Sequence, residues 1–140
     1  MLHLPSSRAF QVSRITMNQV LVVRGKLPDF NSLLNDVKRH WKFYAGAKRH
    51  WTGVTVAECV AQRLRPVPPP VKIDFVWYNN GRKDPDNIRI ASKMIIDGLV
   101  KASILPEDNQ KIIKGFTDTF HKDTDDPRVE VTIRPIKEDD

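Results

Sequence analysis

Alternating apolar and polar positions predict β-strands in four parts of the chain. The clearest alternation covers 71–78, where every second position is a large apolar residue. A period of two is typical of a strand with one buried face. Weaker patterns predict strands at 20–23, 110–120 and 129–133, and the polar turn between the last two predicts that they form a hairpin.

Apolar residues at helical spacing predict two helices between the first two strands. The first helix carries its apolar residues between 34 and 44 and has Asn31 or Ser32 as its N-cap. The second carries its apolar residues between 54 and 64 and is weakened by Gly53.

A third helix is predicted after the second strand. It begins at Asp86 or Asn87 and continues to about Ala102, with its apolar residues on one face. The predicted order is therefore β-α-α-β-α-β-β. This order predicts an α+β fold, in which helices pack on a small mixed sheet of about four strands. Residues 1–16 lack a clear periodicity and are predicted to form a loosely ordered extension to a domain at 17–140.

Composition indicates a globular protein with excess positive charge. The 140 residues suffice for one domain, and 40% hydrophobic with 29% charged residues indicates a soluble chain. No apolar run reaches membrane-spanning length, and the N-terminus lacks the apolar region of a secretory signal, so we expect a cytoplasmic location without membrane contact. The single cysteine, Cys59, excludes a disulfide within the chain. A net charge of +6 favours a polyanionic partner, although many soluble proteins are basic.

The segment at 82–87 concentrates the candidate chemistry. Asp84 and Asp86 are two positions apart, and extended residues at this spacing point to the same side. Pro85 keeps Asp84 extended, because the residue before a proline avoids the helical region. Both carboxylates can therefore reach one metal ion.

Two further features align with this pair of acids. On the third predicted helix, Asp86, Lys93 and Asp97 fall on the face opposite the apolar stripe. After that helix, a short acidic loop carries Asp108 and can fold back towards the helix or its neighbouring strand. The arrangement predicts oxygen ligands around a divalent ion, with a cation nearby.

Each of these features also has an ordinary structural explanation. Asp84 and Asp86 can form a turn and an N-cap, Lys93 and Asp97 can form an ion pair on a solvated face, and Asp108 can be a loop carboxylate. Their convergence favours the metal site, because chance would otherwise have to align cap, helix face and loop. The chain contains no G-x-S-x-G, Walker A or H-E-x-x-H motif, so no nucleotide cofactor or rival hydrolytic chemistry is indicated.

Three pieces of sequence carry a family resemblance. They are R-K-D-P-D-N at 82–87, K-x-x-x-D-G-L-V-K-A at 93–102 and P-E-D at 106–108. Together they resemble the RusA family of Holliday-junction resolvases, especially its phage and prophage members. Shorter similarities extend the resemblance over nearly all of 17–136; they lie at 25–31, 44–47, 115–118 and 126–131.

The resemblance implies a small subunit that works as a homodimer and nicks opposed strands of four-way junction DNA. It implies Mg²⁺ as cofactor, with Mn²⁺ as an expected substitute, and a bacterial host cell. The essential acids of the family correspond to Asp84, Asp86 and Asp108, and its functional lysine corresponds to Lys93. In the best-known member the lysine comes three positions sooner after the acidic motif, a shift of nearly one helical turn that keeps it on the same face.

These considerations give each candidate residue an expected role. The expected metal ligands are Asp84, Asp86 and Asp108, with Asp97 as a further candidate. Lys93 is expected to stabilise charge on the phosphate or to position the water. Contacts to the DNA backbone are expected from Arg82, Lys83, Lys48 and Arg49.

Two other functions stay open at this point. A DNA-binding protein without nuclease activity would keep the basic surface, but the presence of all three acids argues against it. A metal-dependent hydrolase of small phosphate esters would explain the acids and leave the excess positive charge unexplained.

Overall fold

The computed structural model describes residues 17–137, so the predicted extension at 1–16 lies outside the described residues. The strands are β1 (Gln19–Arg24), β2 (Val71–Asn79), β3 (Ile113–Lys122) and β4 (Arg128–Pro135). The helices are α1 (Phe30–Arg39), α2 (Trp41–Ala61), α3 (Pro85–Arg89) and α4 (Ser92–Lys101). With α3 and α4 taken as one helical region, the predicted α+β class and the order β-α-α-β-α-β-β are confirmed.

The four strands form one mixed sheet in the order β1-β4-β2-β3. β4 runs antiparallel to both β1 and β2, whereas β2 and β3 run parallel. The predicted hairpin of β3 and β4 is therefore wrong, because β2 lies between them. β2 has the strict alternation and takes a central position, and α3 and α4 form the crossover that a parallel pair requires.

The core lies between one face of the sheet and the helices. The apolar set of β2 is buried in it, as the alternation predicts: Val71, Ile73, Phe75 and Trp77. α4 approaches α2 closely at Gly98, where an added Cβ would lie 2.5 Å from Thr55 Cβ.

Among helices at 17–137, none combines the length and apolar composition needed to cross a membrane.

Helices α1 and α2 begin and end at other residues than the pattern predicts. Asp29, rather than Asn31 or Ser32, is the N-cap of α1, and its Oδ1 accepts a hydrogen bond from Ser32 N at 2.7 Å. His40 lies in extended backbone, where it ends α1 and caps α2 by accepting from Lys42 N at 3.1 Å. α2 then continues through both of its glycines, so the predicted second helix is the later part of a longer one.

The single helix predicted after β2 is divided in two. Asp84, rather than Asp86 or Asn87, is the N-cap of α3, and its ψ of 148° is extended, as the following proline requires. Between α3 and α4 the backbone makes tighter hydrogen bonds three residues apart, such as Lys93 N to Ile90 O at 3.3 Å. Of the residues predicted to lie on one face of a single helix, Asp86 therefore lies on α3, whereas Lys93 and Asp97 lie on α4.

Candidate active site

A tight turn at the end of β2 directs the acidic motif away from the sheet. Gly81 has a φ of +79°, which favours glycine, and its N–H donates to Asn79 Oδ1 at 2.7 Å. The N–H of Arg82 likewise donates to Asn80 Oδ1 at 3.0 Å. Side chains of the turn thus accept hydrogen bonds from its own backbone N–H groups, so the conformation of the turn does not depend on distant residues. It places Asp84 just past the C-terminal end of β2, as predicted.

Asp84 and Asp86 are exposed, and within residues 17–137 neither side chain forms a hydrogen bond or an ion pair. The backbone carbonyl of Asp84 accepts from Asn87 N at 3.1 Å and from Ile88 N at 3.2 Å, and these bonds begin α3. The N-cap explanation thus accounts for the backbone of Asp84 and not for its carboxylate. Both carboxylates keep their oxygens free for an external ligand.

Lys93 joins α4 to the acidic loop. Its Nζ lies 2.9 Å from Asp97 Oδ1 and 3.4 Å from Asp108 Oδ2. The hydrogen bond to Asp97, and after it the contact with Asp108, raises the pKa of Lys93, so the side chain is charged at neutral pH. The loop that carries Asp108 therefore folds back onto the helix, as predicted, and the ion pair of Lys93 with Asp97 is present as well.

Two contacts tie the acidic motif to the N-terminus of α1. Lys83 Nζ forms an ion pair with Asp29, and Asn87 Oδ1 accepts from Asn31 N at 3.0 Å. Burial by itself would raise the pKa of Asp29, but hydrogen bonds from Lys83 and from the Ser32 backbone outweigh it and lower the pKa. Lys83, which was expected to contact DNA, is thus engaged within the protein.

A cavity of about 290 Å³ opens beside the motif, between the β1–α1 loop, the end of β2 and the β3–β4 loop. Two of the cations that line it are neutralised by acids. Lys83 pairs with Asp29. Arg128 forms ion pairs with three carboxylates, those of Asp123, Asp126 and Glu130. Hydrogen bonds to Asp123 and Glu130 raise the pKa of Arg128. Lys26 also lines the cavity and has no side-chain partner among the described residues, so it is the one uncompensated cation of the cavity within residues 17–137.

Sequence reasoning missed the contribution of Asp118. Its carboxylate accepts from Trp77 Nε1 at 2.8 Å and from Arg89 Nε at 2.9 Å. These bonds join α3 to the parallel strands β2 and β3 and so fix the helix that follows the acidic motif. Asp118 lies two residues from Phe116 and two from Phe120 on β3, so the three share one face, and this spacing is the signal that could have identified an acid beside aromatic residues.

The four basic residues expected to contact DNA lie in two different places. Arg82 is exposed on the turn, and its guanidinium has no partner among residues 17–137. Lys48 and Arg49 lie on α2, where they line a separate groove together with Lys101.

The donor types at the candidate site fit a magnesium ion, because Mg²⁺ prefers carboxylate oxygens. Within residues 17–137, no group of three or more His, Cys, Asp or Glu is arranged to hold a metal ion. Asp84 and Asp86 keep free oxygens, whereas Asp108 contacts Lys93. The ligand set of three acids, and Asp97 as a further ligand, therefore stay predictions.

Comparisons with known proteins give no family assignment. No protein-family model matches the chain, and no curated protein matches it. The RusA resemblance therefore rests on the sequence motifs and stays a prediction.

Proposed function

We propose that this chain is an endonuclease that nicks four-way DNA junctions with Mg²⁺ and works as a homodimer. The observation that carries the proposal is the pair of exposed carboxylates of Asp84 and Asp86, which no described side chain neutralises. If these acids served only to cap α3, the Asp84 side chain would accept a hydrogen bond from its first turn, and it accepts none there.

Hydrolysis of a phosphodiester needs an activated water and positive charge against the charge that develops on the phosphate. A magnesium ion held by Asp84, Asp86 and Asp108 would supply Lewis-acid catalysis to this site. Lys93 contributes an ammonium group at a fixed position, because its contacts with Asp97 and Asp108 raise its pKa and hold it in place. The free guanidinium of Arg82 binds a backbone phosphate and so positions the strand.

The charge of the chain supports a nucleic-acid substrate over a small phosphate ester. A net charge of +6 gives an attraction that grows with the number of phosphates in the partner. A small ester carries a single phosphate and would draw little benefit from basic residues on α2, well apart in sequence from the acidic motif.

A DNA-binding protein without nuclease activity is the second candidate. It is favoured by one observation, the absence within residues 17–137 of an assembled group of three metal-binding side chains. In that case Lys93 would act only as the partner of Asp97 and Asp108.

One gel assay separates these functions. Synthetic four-way junctions and linear duplexes of the same sequence are incubated with the protein and Mg²⁺, and a small aryl phosphate is assayed in parallel. We expect paired nicks in the junction, none in the duplex and no release of the aryl alcohol. Junction binding without nicks would support the second candidate, and hydrolysis of the aryl phosphate alone would contradict both.

A further inference from the structure

An open groove of about 460 Å³ runs along α2 and ends at α4. Six of its lining residues lie on one face of α2: Trp41, Tyr44, Ala45, Lys48, Arg49 and Thr52. The seventh, Lys101, lies in the last turn of α4. Positions three, four and seven residues apart share one helix face, so the groove is a continuous surface of the helix. We call it the α2 groove.

The α2 groove concentrates positive charge that the protein does not compensate. Lys48, Arg49 and Lys101 line it, and no acidic residue does. None of the three forms a hydrogen bond or an ion pair through its side chain within residues 17–137. The cavity beside the acidic motif has only one such cation among the described residues, Lys26, because its Lys83 and Arg128 are paired with carboxylates. An anionic ligand would thus find free cations in the groove.

The groove also exposes aromatic surface. Trp41 is 65% exposed, and its ring stacks on His40 with 5.8 Å between the ring centroids. Tyr44 lies one helical turn further along the same face. Aromatic rings beside cations are the combination with which proteins bind unpaired nucleotides, because bases stack on the rings while phosphates meet the cations.

The distance between the α2 groove and the candidate active site can be spanned by a few nucleotides of a DNA strand. Lys93 and Lys101 are both in α4, and a separation of eight residues along a helix corresponds to about 12 Å. Duplex DNA rises ~3.4 Å per nucleotide of one strand and an unpaired strand is more extended, so this distance spans at most about four nucleotides. A strand that is cut near Lys93 can therefore reach the groove a few nucleotides away.

We infer that the α2 groove binds unpaired nucleotides of a DNA strand, with Trp41 stacking on a base and Lys48, Arg49 and Lys101 contacting phosphates. This inference rests on the proposed function for its choice of DNA as the ligand. A second copy of the chain is a poorer occupant, because two such grooves would bring uncompensated like charges together. An apolar protein segment would leave the three cations without partners.

The test measures binding in EDTA, so that it does not depend on cleavage. A short fluorescent oligothymidylate is titrated with the protein, and with the Trp41→Ala variant. Loss of one stacked base should weaken binding by roughly 5- to 150-fold. Phe30→Ala is the matched control, because Phe30 is an aromatic residue 49% exposed outside the groove, and it should leave the affinity unchanged.

Two further comparisons separate stacking from charge. An abasic oligonucleotide of the same length offers phosphates without bases, so Trp41→Ala should not weaken its binding. The double variant Lys48→Ala/Lys101→Ala should lower the salt dependence of binding by about 1.4, since each phosphate contact on a single strand contributes about 0.7. The control double variant Lys111→Ala/Lys114→Ala removes the same charge outside the groove and should leave the slope unchanged.

Equal affinity of the parent and Trp41→Ala for oligothymidylate would overturn the inference. So would a change in oligomeric state on Trp41→Ala with no change in DNA binding, because it would make the groove a protein interface. A parent that cleaves junctions but does not bind the oligonucleotide would overturn this inference and leave the proposed function intact. A parent that binds the oligonucleotide through Trp41 but cleaves no junction would support this inference and overturn the proposed function.

Discussion

Lys93 shows how far single residues could be assigned from sequence. Its pairing with Asp97 follows from their spacing of four on a helix, and its contact with Asp108 follows from the short loop after that helix. The ion pair of Lys83 with Asp29 could not be predicted, because the two residues are far apart along the chain and meet only through the fold. Local geometry was therefore predictable, and long-range partners were not.

Replacement of Lys93 by methionine should separate metal binding from catalysis. The variant loses the ammonium group, so its cleavage rate at saturating Mg²⁺ should fall by about 100-fold or more. It also releases Asp108 from its contact with Lys93, so affinity for the metal should not fall. Single-turnover cleavage and calorimetric titration with Mn²⁺ measure the two quantities. Lys111→Met, at an exposed lysine, is the control, and a Lys93 variant that cleaves at the parental rate would remove Lys93 from the site.

The contacts of Asp74 should make the stability of the protein depend on pH. The hydrogen bond from Arg134 above all, with one from Thr117, outweighs burial and holds the pKa of Asp74 below its ordinary value of 3.8. The charged form is thus stabilised by folding, and this contribution is present above pH 3.8 and is lost as the pH falls through the lowered pKa.

The measurement for Asp74 is urea unfolding of the parent and of Asp74→Asn over a series of pH values. The difference in free energy of unfolding should be largest above about pH 4 and should shrink below it. Asp125→Asn, at an exposed loop position, should show no such trend. A difference for Asp74→Asn that stays constant down to about pH 2 would show that the carboxylate is not stabilised by folding.

At the scale of elements, strong periodicity was informative and chain proximity was misleading. β2 was predicted closely because its alternation reflects one fully buried face. The pairing of β3 with β4 was predicted from the turn between them, but the sheet places β2, whose apolar face is buried, between the two. Gly53 weakened the second predicted helix, yet α2 is continuous through Gly46 and Gly53 because the surrounding structure outweighs their low helix propensity.

Gly98 should be required for the packing of α4 on α2. An added Cβ would lie 2.5 Å from Thr55 Cβ and 3.1 Å from the Thr52 carbonyl oxygen. Gly98→Ala should therefore lower the free energy of unfolding by about 1–3 kcal/mol, in spite of the better helix propensity of alanine. Gly53→Ala is the control, since its Cβ meets nothing within 4 Å, and it should stabilise by roughly 0.4–1 kcal/mol. Chemical denaturation measures the free energy of unfolding of each variant. Equal stability of the two variants would contradict the close approach of α4 to α2 at Gly98.

At the scale of the whole molecule, the proposed reaction requires two active sites. Each chain offers a single acidic motif at 82–87, and a four-way junction is resolved by nicks in two strands related by two-fold symmetry. We therefore expect a homodimer. Light scattering at micromolar concentration should give twice the mass of one chain, and with junction DNA it should give that mass plus the mass of one junction. A monomer under both conditions would contradict paired nicking.

The most direct test of the account is the cleavage of a four-way junction by the Asp86→Asn variant. The change removes one charge from the pair of free carboxylates and keeps the size of the side chain. Cleavage with Mg²⁺ should be abolished, while junction binding should be unchanged or tighter, because less negative charge faces the DNA phosphates. Asp125→Asn removes the same charge from an exposed loop and should cleave like the parent. Cleavage by Asp86→Asn at the parental rate would contradict the assignment of the active site.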